Sequence, residues 1–119
     1  MIGRLSGRQS FLRLQAEGRK DGRGPIRLVS RTDNTTIPRV AFAVPRSVGN
    51  AVVRNRTKRR IRAVIHELDT RSGVPGGDYL VRVTGPIEHW SHHQLQSTMA
   101  HLLITPTDKP ASLPVGAST

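Results

Sequence analysis

Residues 51–68, AVVRNRTKRRIRAVIHEL, constrain the fold more than any other stretch, because a cationic pattern and an apolar pattern lie on the same predicted helix. Six of the nine side chains from Arg54 to Arg62 are cationic and none is acidic. Further along, four apolar side chains fall within about 100° of a helical wheel, the width of a core-facing stripe. These four are Ile61, Val64, Ile65 and Leu68. The pattern predicts one helix over about 50–69, capped by Asn50, with one end buried and the other cationic.

The same wheel divides the polar side chains of this helix into two groups. The group opposite the apolar stripe, which should face solvent, is Asn55, Arg56, Arg59, Arg60 and Arg62. Arg54 projects into the stripe instead, and Lys58 lies at its edge. Because an unpaired buried charge is costly, we expect the first turns to extend beyond the core, where these two side chains border a groove.

The cationic pattern carries two electrostatic penalties. Residues four apart on a helix are neighbours, and like charges at that spacing repel. The like-charged pairs are Arg54–Lys58, Arg56–Arg60 and Lys58–Arg62. Cations near a helix N-terminus also oppose the macrodipole. A merely solvated face normally mixes acids with bases, so this pattern favours a bound polyanion, and arginine suits bidentate phosphate contacts.

Charge is segregated along the whole chain, which has a net charge of +11 and a pI of about 11.8. Residues 1–62 hold 16 Lys and Arg against three acids, whereas residues 63–119 hold three against five. This asymmetry favours a binding face for nucleic acid, an anionic membrane or an acidic protein. The absence of cysteine, of an apolar leader and of a membrane-length apolar run predicts a soluble cytoplasmic protein.

The remaining chain predicts a single α+β domain over residues 1–104, in the order α-β-β-α-β-α, with helices covering one sheet face. A first helix over 6–18 would be capped by Ser6 and Gln9 and would end at Gly18. The other predicted elements are a charged loop at 19–24, strands at 25–31, 38–45 and 78–84, a turn at 32–36, and a Ser91-capped helix to about Ile104. The Pro-, Ser- and Thr-rich tail at 105–119 is predicted to be disordered.

One segment resembles a known signature. VGNAVVRNRTKRRIR, residues 48–62, is similar to the motif of the bacterial ribonuclease P protein subunit, in which an RNR triplet opens the second helix. Arg4-Leu5, Phe11, Gly18, VAFAV and DYLVRVTGP extend the resemblance over about 4–104.

The resemblance implies a small basic subunit that joins a larger catalytic RNA, which uses Mg²⁺ to hydrolyse a phosphodiester and remove the 5′ leader of precursor tRNA. It implies a left-handed β-α-β crossover, against the usual right-handed preference. It implies ribonuclease P RNA and precursor tRNA as partners, with no membrane, no small-molecule cofactor, no catalytic residue and no metal ligand in the protein. The RNA-contacting set, with Arg60 added from the wheel, is Arg54, Asn55, Arg56, Lys58, Arg59, Arg60 and Arg62.

Phe11 and Arg46 are the candidate contacts to the leader. The sequence departs from the family where a second helix aromatic and a strand aromatic are replaced by Gln15 and Val29, and where Ser-Lys-Lys is replaced by Pro45-Arg46-Ser47. Base–aromatic stacking is worth ~1–3 kcal/mol per base, so leader binding should depend more on charge here. Phe11 is equally compatible with a packing role.

Other readings of the sequence are less specific. The segment HWSHH suggests a metal site, but it lacks carboxylate and cysteine partners, and polar residues around a helix cap are the simpler explanation. No Ser-His-Asp order or carboxylate pair indicates a protein active site. A structural, ribosomal-type RNA-binding protein is the alternative; a DNA-binding helix is disfavoured, because the arginines surround more than one face and no dimerisation heptads follow.

Overall fold

The computed structural model describes residues 2–5, 7–32 and 37–104, which form five strands and three α-helices. In chain order they are β1 (Gly3–Arg4), α1 (Arg8–Glu17), β2 (Arg19–Arg23), β3 (Ile26–Thr32), β4 (Pro38–Ala43), α2 (Ala51–Ser72), β5 (Gly77–Val83) and α3 (His92–Leu103). A 3₁₀ turn, Arg46–Val48, precedes α2. The α+β fold class is confirmed. Ser6, most of the predicted turn at 32–36 and the tail at 105–119 lie outside the described residues.

The strands form one mixed sheet in the order β1-β4-β5-β3-β2. The pairs β1–β4 and β4–β5 are parallel, whereas β5–β3 and β3–β2 are antiparallel. Helix α2 connects the neighbouring parallel strands β4 and β5, so the β-α-β unit implied by the sequence is present. Its left-handedness stays a prediction.

The main core lies between one face of the sheet and helices α2 and α3. Alternate residues of β5, namely Tyr79, Val81 and Val83, point into it and are buried. The apolar stripe of α2 meets them there, and Ile61 and Val64 are fully buried. The apolar stripe of α2 packs against both the sheet and α3. The C-terminal half of α2, which carries the stripe, therefore fixes the position of the helix.

A second, smaller core lies on part of the opposite face of the sheet, so helices pack on both faces and not only on the one face that the sequence predicted. Leu14 of α1 packs there with Leu5, Val29 and Leu80, all buried. Gly18 allows the close approach, because a Cβ at this position would lie 2.7 Å from Cγ1 of Val29. Its backbone N–H donates to the Leu14 carbonyl at 2.7 Å, which confirms Gly18 as the end of the helix.

Three local features differ from those that the sequence predicts. The segment RKDGR, predicted as a loop, is strand β2, which pairs with β3 from Arg19↔Ser30 to Arg23↔Ile26. Backbone pairing suffices for an edge strand, so no apolar alternation is needed. The two-residue strand β1 was too short to detect. Helix α1 begins after Gly7, which is the N-cap residue and has no side chain to cap the helix; Ser6 of the predicted capping box lies outside the described residues.

The core contacts of α2 predict a large and local effect of truncation. We expect Ile61→Ala to lower the free energy of unfolding by about 2–5 kcal/mol, because it opens a cavity where the stripe meets the sheet. The matched control is Val52→Ala on the same helix, where the side chain is 60% exposed; its effect should stay within about 0.5 kcal/mol. Urea denaturation measures both, and equal effects would contradict this account of the core.

Candidate nucleic-acid interface

The cationic segment, residues 54–62 of α2, starts one turn after a well-formed helix N-terminus. The side-chain oxygen of Asn50 accepts a hydrogen bond from the Val53 N–H at 3.0 Å, which confirms the predicted cap. No acid lies in the first turn. The partial positive charge of the helix end is therefore unopposed by any side chain of that turn, and it adds to the field of the cations that follow.

Exposure along the segment follows the helical wheel in most positions. Asn55, Arg56, Arg59 and Arg62 are exposed, as predicted. Arg54 and Lys58 are half-buried, which agrees with side chains at the border of the core.

Thr57 extends the apolar stripe by one turn, which the helical wheel of apolar residues does not predict. It is buried at 2% exposure, and its hydroxyl donates to the Val53 carbonyl at 2.9 Å. A hydroxyl that bonds within its own helix can be buried at little cost, so a polar residue takes a core position here.

Three of the six cations in the segment, Arg56, Arg60 and Arg62, have partners within the described part of the chain. The Arg56 guanidinium lies 3.9 Å from a Glu88 carboxylate oxygen, and Arg62 stacks 5.1 Å from the centroid of the Phe42 ring. The side chains of Arg54, Lys58 and Arg59 form no hydrogen bond, ion pair or ring contact with described residues, and the Arg54 Nε is buried without an acceptor. The segment thus keeps most of its hydrogen-bond donors for an external anion.

Arg60 differs from its neighbours, and its predicted place on the solvent-facing arc is wrong. It is half-buried, and its guanidinium donates to the carbonyls of Ile87 at 3.0 Å and Trp90 at 2.7 Å. The wheel could not reveal this, because the two acceptors belong to the loop before α3. Contact of Arg60 with a nucleic acid stays a prediction.

A second basic area lies on the sheet face that carries α1. Val29 and Leu80 pair in register beneath the helix, and two residues along the same strands Arg27 pairs with Arg82 in the open. Both arginines are exposed. We call this area the open sheet surface, and its members in strand order are Gly22, Arg27, Arg82 and Ala43. Like charges directly opposite each other destabilise a sheet, so this area also suits an anion.

The two predicted leader contacts are linked to the open sheet surface through neighbouring residues. Phe11 is half-buried and packs against the small core, as does Ala43. Arg46 is exposed at the start of the 3₁₀ turn, next to Pro45, which lines a shallow depression together with Arg82. Arg46 therefore connects the open sheet surface with the start of α2 along the chain.

The histidines serve other purposes where the structure shows a contact. Nε2 of His92 lies 2.9 Å from a carboxylate oxygen of Glu67, which ties α3 to α2. His66, His89 and His93 are exposed. Within residues 2–5, 7–32 and 37–104, no group of three or more potential metal ligands is close enough to hold an ion. No described helix is both long and apolar enough to span a membrane.

Fold and charge together define a class of protein: a small basic α+β domain with a cationic helix and an open basic sheet surface. The ribonuclease P family model matches residues 3–106, and the chain belongs to this family.

Relatives and solved structures agree with this assignment. The ribonuclease P protein component of Gluconacetobacter diazotrophicus is 35% identical over 66% of this chain and 68% of its own length. That of Beutenbergia cavernae is 43% identical over 55% of this chain and 54% of its own length. The ribonuclease P protein of Staphylococcus aureus has the same fold, with a TM-score of 0.73 and 22% identity over 88% of this chain and 94% of that one. The Thermotoga maritima protein gives 0.70 and 22% over 84% and 94%.

The opposed arginines of the open sheet surface predict a salt effect on stability. Removing one charge with Arg82→Gln should raise the free energy of unfolding at low salt by about 0.2–1 kcal/mol, because the cross-strand repulsion is lost. The gain should shrink as added salt screens the pair. Urea denaturation at ~50 and ~500 mM NaCl measures the change in the free energy of unfolding. Arg71→Gln, near the C-terminus of α2, is the control, and an equal gain with that variant would contradict a local repulsion between Arg27 and Arg82.

Proposed function

We propose that the chain is the protein subunit of ribonuclease P. In this role it binds the catalytic RNA and the 5′ leader of precursor tRNA, and it assists the endonucleolytic cut that gives the mature 5′ end. The reaction is the hydrolysis of a phosphodiester, and the RNA subunit carries the catalysis. Cytoplasmic location follows from this function.

The cationic segment of α2 carries the proposal. A helix that concentrates like charges and leaves Arg54, Lys58 and Arg59 without partners among the described residues is compensated when phosphates bind. Neutralising about six phosphates should make assembly strongly salt-dependent: raising salt from ~50 to ~200 mM should weaken it on the order of a thousandfold. Family membership supports RNA, rather than another polyanion, as the partner.

The open sheet surface is the proposed site for the leader. Its arginines offer donors to a single strand, and Phe11, which packs against the same small core as Ala43, offers a partly exposed ring. Arg46 would continue the phosphate path towards α2. Because Gln15 is exposed but not aromatic and Val29 is buried, charge should outweigh stacking in holding the leader.

The magnesium implied by the family is proposed to be held mainly by the RNA subunit. Among the described residues, no group of three or more potential metal ligands is close enough to hold an ion. Bound to the RNA, the magnesium would activate the attacking water and stabilise the leaving oxygen. The protein's own contribution is to bind and orient the two RNA strands.

Reconstitution tests the function directly. With the ribonuclease P RNA of the same organism at low Mg²⁺, the protein should restore cleavage of precursor tRNA. Arg82→Gln should weaken binding of precursor tRNA about two- to tenfold and binding of leaderless tRNA less than twofold, because only the leader meets this charge. No restored cleavage, with equal binding to unrelated RNA, would instead favour a structural RNA-binding protein.

The cationic segment predicts specific changes in salt dependence. Arg56→Ala and Arg59→Ala should each weaken assembly with ribonuclease P RNA and reduce the slope of log K against log salt by about 0.7–0.9, the value of one phosphate contact. Arg71→Ala, near the C-terminus of the same helix, is the control and should leave the slope unchanged. Filter binding across a salt series measures all three; unchanged slopes for Arg56→Ala and Arg59→Ala would exclude phosphate contacts.

A further inference from the structure

The turn before α3 is fixed to α2 at both of its ends. The Trp90 N–H donates to the Ile87 carbonyl at 3.0 Å, which closes a four-residue turn. The guanidinium of Arg60 donates to that same carbonyl and to the carbonyl of Trp90. The side chain of Ile87 is fully buried in the main core. The planar fork of one arginine thus bridges the first and last residues of the turn and limits its freedom to move.

This turn presents an acid to the cationic segment. Glu88 and His89 are its two central residues, and both are exposed. The Glu88 Oε2 lies 3.9 Å from the Arg56 Nη1. Arg56 and Arg60 are one helical turn apart and share a face of α2, so the residue that holds the turn also keeps the Glu88 backbone next to Arg56. The sequence has no acid between Asp33 and Glu67; the fold brings this one from a distant part of the chain.

A pair of half-exposed side chains at this distance contributes little to stability, so its consequence lies in binding. A phosphate that approaches Arg56 also approaches this carboxylate, because the turn that carries Glu88 is held against α2. RNA that is held by charge alone can lie along the cationic segment in many positions. In most of these positions a phosphate comes near Glu88 and is repelled by its carboxylate. RNA held by a defined set of contacts can place its phosphate on the Nη2 side of the Arg56 guanidinium, whereas the carboxylate lies nearest Nη1.

We propose that Glu88 is a specificity-determining residue and that Arg60 is its positioning residue. The carboxylate lowers the affinity of the cationic segment for RNA that binds by charge alone, and it lowers the affinity for ribonuclease P RNA less. Repulsion of the wrong partner in this way is a general route to discrimination. The inference rests on the proposed function, and it assigns Arg60 to the protein scaffold rather than to a phosphate contact.

Glu88→Gln in the full chain tests the role of the carboxylate, with Glu17→Gln as a matched control. Both acids stand in exposed ion pairs, with side chains 50% and 56% exposed, and both substitutions change the net charge equally. At low salt, Glu88→Gln should bind single-stranded oligouridylate about three- to tenfold more tightly, since a unit charge ~5 Å from a phosphate acts with that strength in water. Its affinity for ribonuclease P RNA should change less than twofold, and Glu17→Gln should change both less than twofold. Equal gains for the two RNAs, or the same gain with Glu17→Gln, would overturn the proposal.

Arg60→Leu tests the positioning role, with the fold checked by circular dichroism. Without the fork, the turn no longer holds Glu88 in place, so Glu88→Gln in this background should improve oligouridylate binding less than twofold. The salt slope for ribonuclease P RNA should stay as in the wild type. An undiminished effect of Glu88→Gln would overturn the positioning role, and so would a slope reduced by about 0.7–0.9. If Arg60→Leu does not fold, Arg60→Lys replaces it; lysine keeps a donor but not the fork, and the effect of Glu88→Gln should then fall to an intermediate value.

Failure of the proposed function can be distinguished from failure of the roles of Glu88 and Arg60. It would appear in the wild type, as no preference for ribonuclease P RNA and no restored cleavage. Failure of the roles of Glu88 and Arg60 would appear in the variants compared with the wild type, while the wild type still prefers ribonuclease P RNA and restores cleavage.

Discussion

The whole arrangement depends on apolar contacts that hold a self-repelling helix in place. Helix α2 crowds six cations into nine positions, and the segment contains no acid to offset their mutual repulsion. Its other half buries Ile61, Val64, Ile65 and Leu68 between the sheet and α3. Burying side chains of this size contributes roughly 1.5–3 kcal/mol each, more than the few tenths lost per like-charged pair. The core therefore sets where the charges stand before any partner arrives.

The elements with a strong internal signal could be predicted from the sequence. The 3.6-residue period located α2, and the side chains of Asn50 and Ser91 cap α2 and α3 as expected. Elements defined by their neighbours could not be predicted. Strand β2 reads as a charged loop because its only structural requirement is backbone pairing with β3. The placement of α1 on the second sheet face depends on contacts of Leu14 with residues far along the chain.

The same distinction applies to the candidate interface. A wheel describes one helix, and it correctly predicted the exposure of Arg56 and Arg59. It failed at Arg60, whose acceptors lie in another segment. The open sheet surface was invisible for a similar reason, since Arg27 and Arg82 become neighbours only through the register of β3 and β5. The sequence thus revealed which side chains carry charge, and the register revealed which charges act together.

The two edges of the sheet have a consequence for the behaviour of the free protein. An exposed strand edge offers unpaired amide and carbonyl groups, which can recruit strands of other molecules into aggregates. One edge here is β1, only two residues long, and the other is β2, which carries Arg19, Lys20 and Arg23. A short edge strand offers few backbone groups with which another strand can pair. A cationic edge strand repels the same strand of another molecule. The short β1 and the cationic β2 thereby limit β-pairing between molecules when the free protein is concentrated.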